Sequence, residues 1–400
     1  MTSAELVFDP FSDDFFNHPY DTYRRMRDEA PVYYSPEYDF FALSRHEDVA
    51  AALKAPETFS SAKGITIDQV QSGEPLPPSL IWMDPPDHRR FRGLVNKVFT
   101  PRAITAQEEM VRATIEKFLD AVDPDAFDVV QDFSALFPVE VITTMLGVPP
   151  EHRQSVRLWI DKSLARQPGQ VGMSEEGLQA GFASWMLYYE LIQQRRAESQ
   201  NDMISSLITV EVERDGGGRT CLDDGEIAGF AALLGGAGAE TVTKLIGNAI
   251  VTFGRERDQW RQLYEDRSKI AGAVEELLRY EAPAQYVVRV TKHAAELHGT
   301  TIPAGKAVLL MVGAANRDDR AFTDAATFDI NRDRTQAQNI GLGYGIHSCL
   351  GAALARMESA IALDYLLDFM PDFDLQHDGL RRVAMANVAG WSSVPVRVNK

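Results

Sequence analysis

Cysteine is nearly missing from this 400-residue chain, which holds only Cys221 and Cys349. A disulfide framework is thereby excluded, although a single bridge is not. Clustered metal ligands are lacking too. The eight histidines (His18, His46, His88, His152, His293, His298, His347 and His377) form neither HExxH nor a close Cys/His group, so zinc has no support. No GxGxxG fingerprint and no Walker A sequence occurs, which leaves dinucleotide and P-loop readings without a basis. No run of roughly 18 apolar residues exists. The greasiest stretch, Ile227 to Phe253, is interrupted by Glu240, Thr243 and Lys244, so no membrane span is expected. The opening MTSAELVFDPFSDD carries acids where a secretory leader carries basic charge and an apolar run, which makes a cytoplasmic location the expectation. Positive charge is scarce, with a formal net charge of -18. That opposes general binding to nucleic acid or anionic membrane.

Apolar residues make up 45% of the chain, enough for a large core. No repeat or long linker divides it, so residues 1–400 are expected to form a single domain with a flexible extreme N-terminus. Periodicity predicts helices near 19–29, 47–53, 87–98, 104–120, 136–146, 151–163, 174–199, 202–211, 224–254, 258–264 and 270–280. Val32–Leu43 reads as a strand or hairpin, and Asp215–Asp224 as a turn or short hairpin. Residues 57–81, with Gly64, Gly73, Pro75, Pro77 and Pro78, are expected to be a long loop. Short β-like runs fill 285–312, and an irregular polar stretch reaches Asn339. A last helix covers about 349–368, and the tail Arg382–Val398 favours short strands. The fold class is mainly α with small β-sheets, not an alternating βαβ chain.

Gly341-Leu342-Gly343-Tyr344-Gly345-Ile346-His347-Ser348-Cys349-Leu350-Gly351 is the sharpest signal. Alternate glycines permit close backbone approach and unusual dihedrals. An amphipathic run follows, so Cys349 is expected at or just before a helix N-terminus, where unpaired amides lower a thiol's pKa. Such a thiolate suits an axial haem ligand. A small apolar cysteine in a glycine turn, or a nucleophile with His347 as base, fits the same residues. The loop closely resembles the haem-binding signature of cytochrome P450 proteins, Phe-Gly-x-Gly-x-His/Arg-x-Cys-x-Gly. Gly343, Gly345, His347, Cys349 and Gly351 stand on its positions, while Leu342 replaces the usual phenylalanine. The resemblance implies haem b (iron protoporphyrin IX), with Cys349 on the iron and Leu342, Gly343 and Gly351 beside it. Leu342 is expected to alter the redox potential at most.

Three glycines stand midway along the predicted long helix, in Gly235-Gly236-Ala237-Gly238-Ala239-Glu240-Thr241. Each costs about 1 kcal/mol relative to alanine. A flat cofactor against the backbone, a local helix opening, or tight helix packing with Thr241 bonded to its own backbone would each account for them. The segment resembles the P450 distal motif Ala/Gly-Gly-x-Asp/Glu-Thr-Thr at Ala237, Gly238, Glu240 and Thr241, and departs from it at Val242. The resemblance implies that Thr241 and Glu240 manage protons during oxygen activation, with Ala237 against the cofactor. Glu276 and Arg279, alone a common surface pair, match the family's ExxR motif, with Arg332 as third member of a structural brace. His88, Arg92, Arg289 and His347 match the family's contacts to the haem propionates. Taken one at a time, each fits a surface or packing role equally.

The resemblance runs from about residue 10 to the C-terminus and implies a monooxygenase of the soluble bacterial type. It places substrate above the haem, lined from 60–83, from helices within 160–195, from Ala284–Val288 and from Val388–Trp391. The named candidates are Met83, Leu234, Ala237, Ala284, Val287, Val288 and Trp391, with Phe182, Trp185 and Met186 adding apolar bulk nearby. A hydrophobic small molecule follows, whether terpenoid, steroid, fatty acid or polyketide-like. No flavin or cysteine-ligated iron–sulfur module is recognisable, so electrons are expected from a ferredoxin and its NAD(P)H-dependent reductase. Arg89, Arg90, Arg92, Lys97 and Arg102 form an acid-free basic island suited to such a partner. A peroxide-dependent haem oxygenating enzyme and a non-catalytic haem-dependent binding or sensor protein are the alternatives. A monomer is expected.

Overall fold

Asp223 starts the longest helix. Its carboxylate accepts the Glu226 N–H, and the Glu226 side chain accepts the Asp223 N–H, which completes a capping box. The computed structural model describes residues 6–76, 78–213 and 218–399. In it this helix runs from Asp224 to Arg255, 32 residues. Small and aliphatic side chains on nearly every side leave it little solvent face, so it is a central helix and not a surface one. Helices Phe137–Leu146, Pro150–Leu164, Glu175–Ala197 and Ala352–Phe369 pack around it. Their apolar residues form one large core.

A smaller layer is a five-stranded sheet in the order Val32–Ser35, Phe40–Leu43, Ala307–Leu310, Val287–Thr291, Phe59–Ser60. Phe40–Leu43 and Ala307–Leu310 run parallel, and the other neighbours are antiparallel. The two-residue alternation of strands sends Phe40, Ala42, Val288 and Leu309 into one minor core. Phe41, Leu43 and Val308 enter another, with Val287 packed against it.

The fold is the expected one, mainly α with small sheets, and it departs from the sequence reading in details. The 57–81 segment is not a bare loop. It contains the strand Phe59–Ser60, the helix Ile67–Ser72 and the short 3-10 turn Leu80–Trp82. Ile67 is fully buried, and that tertiary contact outweighs the surrounding glycines and prolines. The helix expected over 104–120 is two, Pro101–Thr105 and Glu108–Leu119. Thr100 caps the first, with Pro101 at its opening position, so it begins earlier than periodicity suggested. The last helix begins at Ala352. Val212–Glu213 pairs with Arg219–Thr220 as a hairpin; its tip, 214–217, lies outside the described residues. So does the extreme N-terminus, 1–5, where flexibility was expected. Among the described residues one stretch, Val129–Leu146, is long and apolar enough to cross a membrane, and 67% of it is buried inside the fold.

The irregular stretch from Asn316 to Asn339 is held by side chains in place of secondary structure. Glu276 and Arg279 lie one turn apart on the helix Ile270–Tyr280, both buried, and pair at 2.7 Å. Arg332 Nε joins Glu276 at 3.0 Å. Arg279 also donates to the carbonyls of Asn316, Ala325 and Thr327. Arg332 donates to those of Asp324 and Thr327. Buried charge is tolerated when it is paired and hydrogen-bonded, and here both arginines are. Replacing Arg279 by Leu leaves Glu276 half-paired and removes the Arg279 bonds to the Asn316 and Ala325 carbonyls, while Thr327 keeps Arg332. The expected cost is about 3–5 kcal/mol, read from the urea midpoint of the purified protein. A loss below about 1 kcal/mol would mean that the pair behaves like an exposed one.

Candidate active site

The loop before Cys349 is shaped by glycine at particular points. Gly343 and Gly345 take φ values of +73° and +74°, the left-handed region that glycine enters at least cost. A Cβ on Gly345 would stand 2.5 Å from the Leu53 carbonyl, and one on Gly341 would overlap that of Leu278. The loop therefore lies directly on the backbone of the helix Ile270–Tyr280 and of the turn after Leu53. The Cys349 N–H donates to the Leu342 carbonyl at 2.8 Å and closes the turn. Leu342 is half-buried against the large core.

Cys349 sits two residues ahead of Gly351, the N-cap of the helix Ala352–Phe369. The Gly351 N–H points at its sulfur, as expected for a residue near a helix start. The expected lowering of the thiol's pKa is not realised. Burial pushes the thiol up, and that outweighs the Gly351 amide and the cations Arg92 and Arg356. Local dipoles alone do not make the thiolate here; a coordinating metal cation would. Cys349 has accessible surface although protein encloses it on most sides, the condition of a side chain on the wall of an internal space. Ala237 behaves alike: it is exposed at mid-helix between buried Gly235 and Ala239.

Next to the loop lies a cluster of cationic and donor side chains. His88 and His347 approach with ring centroids 4.5 Å apart. Arg92 donates to the Ser348 carbonyl at 3.0 Å. Arg289 is buried and donates to the Val288 carbonyl at 2.8 Å. Burial, together with Arg289 and His88, pushes His347 down to about 3, and burial brings Arg289 to about 10. His88 is lowered by burial and by Arg92, and its Nε2 is buried without a partner among the described residues. The nearby acid, Asp84, is already engaged. Burial would raise it, but Lys292 at 2.8 Å, the Ser60 hydroxyl and the Ser61 N–H hold it below the ordinary range. A donor set this buried and this short of anions fits a group bearing carboxylates, as a haem does at its propionate edge.

On the long helix, the Thr241 hydroxyl donates to the Ala237 carbonyl at 2.8 Å. Glu240 is buried and ion-paired with Lys244 Nζ at 2.7 Å. Burial raises the Glu240 pKa, Lys244 opposes it, and Asp161 adds to it.

The lining candidates divide. Met83, Ala284 and Val287 are half-buried, and Leu234 is buried on the long helix. Ala284 bridges to Val388. Val288 is fully buried on the opposite sheet face from Val287, among the residues of a minor core. Trp391 is buried against Gly247, with Arg382 4.2 Å above its ring, and belongs to the large core. Phe182 is exposed.

Sequence reasoning missed Ser60, Ser61, Lys292 and Lys244. The Ser61 hydroxyl lies 3.1 Å from His347 Nε2, and Asp84 ties Ser60 and Ser61 to Lys292. Neither had a local signal beyond Asp84 preceding two prolines. Lys244 did have one, since it stands four residues after Glu240 on the same helix.

Residues 186–379 match the family model for cytochrome P450. Similarity to individual members extends over nearly the whole length, and the chain belongs to the cytochrome P450 family. It is 36% identical over 392 residues to cytochrome P450 130 of Mycobacterium tuberculosis, covering 95% of each chain. It superposes on the cytochrome P450 CYP109Q5 of Chondromyces apiculatus with a TM-score of 0.87 at 30% identity, covering 98% of both. CYP109E1 of Bacillus megaterium, solved in complex with corticosterone, gives a TM-score of 0.84 at 31% identity over 97% of this chain and 100% of that one.

Gly341→Ala is expected to push the Cys349 loop off the Leu278 carbonyl. Haem content of the purified protein should fall well below wild type while far-UV circular dichroism stays unchanged. Full haem content would mean that the close backbone approach does not set the loop's position.

Proposed function

We propose that this protein is a haem-thiolate monooxygenase that hydroxylates an apolar small organic molecule, using dioxygen and two electrons from a separate redox protein. The observation that carries the reading is the pairing of one accessible, protein-enclosed thiol with an adjacent buried donor cluster short of anions. In this reading Cys349 ligates the iron, and His88, Arg92, Arg289 and His347 hold the propionates. The bound haem supplies dioxygen reduction and oxygen insertion into a C–H bond.

The remaining work falls to the chain's own side chains. Gly341, Gly343 and Gly345 keep the loop low, and Leu342 excludes water beside the sulfur. The Thr241 hydroxyl, parked on the Ala237 carbonyl, can turn from it at the cost of one local bond and carry a proton. Glu240 suits a proton exchanger, since burial favours its neutral form and Lys244 its charged form. Met83, Leu234, Ala284 and Val287 favour an apolar substrate, and the corticosterone bound by the Bacillus megaterium relative is of that kind.

The basic island is less free than its sequence suggests. Arg90 is ion-paired to Glu226, Arg92 faces the Cys349 loop, and Lys97 donates to the Glu211 carbonyl. Arg89 and Arg102 are exposed. Docking of an acidic ferredoxin there is expected to weaken when Lys97 and Arg102 both become Glu. Stopped-flow reduction should then slow several-fold at low salt with haem content unchanged, and an unchanged rate would remove the island from docking.

Thr241→Ala tests the chemistry. With a surrogate ferredoxin pair and dioxygen, reductant consumption should continue while product per reductant falls about ten-fold or more. Wild-type coupling in the variant would take Thr241 out of proton handling. Product with peroxide but none with dioxygen and reductant would favour a peroxide-using enzyme.

A further inference from the structure

The charges beside Cys349 can be counted one against another. Burial, with the neighbouring cations, keeps His88 and His347 neutral, so Arg92 and Arg289 carry the positive charge of the cluster. One acid stands among them. Asp84 lies within electrostatic reach of His88, Arg289 and His347 and favours the charged form of each. Burial opposes its ionisation, but Lys292, the Ser60 hydroxyl and the Ser61 N–H hold it ionised. Left to itself, Asp84 would cancel one of the two arginines. Lys292 Nζ, 2.8 Å from Asp84 Oδ2, cancels it instead. Arg92, Arg289 and Lys292 less Asp84 leave two positive charges; without Lys292 one remains.

The fold delivers Lys292 to this place by strand pairing. Thr291 stands opposite Phe59 and Val290 opposite Ser60, and the Lys292 N–H donates to the Thr58 carbonyl at 2.8 Å. The ion pair is not what holds the two segments together. Asp84 also accepts the Ser60 hydroxyl at 2.6 Å and the Ser61 N–H at 3.0 Å, and the Val288 N–H donates to the Ile65 carbonyl at 3.0 Å. As a staple, a half-exposed pair adds little to these. As a charge it is well placed. The Lys292 side chain is 41% exposed and that of Asp84 is 11% exposed, so the ammonium keeps much of its hydration while it answers an acid that water reaches poorly.

We propose that Lys292 is a positioning residue for the haem, one that neutralises Asp84 so that both arginines stay free to balance two carboxylates. It acts through Asp84. Without it, an incoming carboxylate meets a like charge where burial weakens screening, and Arg289 is drawn to the protein's own acid. This rests on the proposed haem site.

The probes are haem and haem dimethyl ester, in which both carboxylates are masked. Loss of each from the loaded protein to excess apomyoglobin is followed by absorbance, and the ratio of the two loss rates, haem over ester, is the quantity read. General loosening of the fold moves both rates and leaves the ratio unchanged. Lys292→Gln is expected to raise the ratio about five-fold, and Lys292→Arg to leave it within about two-fold of wild type. Asp84→Asn removes the acid but keeps an oxygen for the Ser61 N–H and an amide that the Ser60 hydroxyl can accept. It should lower the ratio alone, and should return that of Lys292→Gln to within about two-fold of wild type. An unchanged ratio in Lys292→Gln overturns the proposal. So does a double variant no better than Lys292→Gln, because the acid is then not the route by which Lys292 acts. Should Lys292→Gln fail to fold, Asp84→Asn decides alone: a raised or unchanged ratio overturns the proposal. A wild-type protein that takes up neither pigment fails the haem reading and this proposal with it, whereas a wild type that holds haem beside an unresponsive Lys292→Gln fails the proposal only.

Discussion

The buried contact between Glu276 and the two arginines Arg279 and Arg332 is the constraint from which the rest of the site follows. It fixes the stretch after Asn316, which has almost no secondary structure to hold itself. Asn316 passes the constraint on. Its backbone carbonyl accepts Arg279, its side-chain oxygen accepts the Ile340 N–H, and its amide meets Asn339. Asn339 in turn accepts the Gly341 N–H. The position of Cys349 is thus set through a short chain of hydrogen bonds that begins at a buried ion pair. Well-packed apolar side chains can match such a cluster in stability. What they lack is direction, and direction is what a loop carrying one critical sulfur requires.

Charge is arranged around that loop by the same economy. The chain is strongly acidic as a whole, yet the interior beside Cys349 collects His88, His347, Arg92 and Arg289, and its nearby acid is claimed by Lys292. Burial holds the two histidines neutral and strains the two arginines. A dianionic edge would relieve that strain where water does not reach. On the long helix the balance is reversed: Glu240 and Lys244 neutralise each other within one helical turn, which keeps a buried acid without a net field.

Much of this was legible in the sequence because the decisive features are local. The glycine spacing before Cys349 and the mid-helix glycines before Thr241 each encode a geometric demand, whereas Glu276 and Arg279 read alone as a common surface pair and took their role from the family resemblance. Arg332 was reachable only through the family resemblance, since it stands 53 positions after Arg279. What escaped depends on contacts between distant segments. Ile67 makes a helix inside an apparent loop because it is buried in the minor core that also holds Tyr286 and Val288. Val287 and Val288 read alike as apolar, and only the pleat sends them to opposite faces. The pKa of Cys349 goes up because the whole fold encloses it, a fact no helix-start rule contains.

In the proposed function Cys349 coordinates the haem iron through its sulfur. Iron K-edge X-ray absorption of the haem-loaded protein measures that most directly. One sulfur scatterer at bonding distance, lost in Cys349→Ala, is the expected result. An iron shell of nitrogen and oxygen alone in the wild-type protein would contradict it.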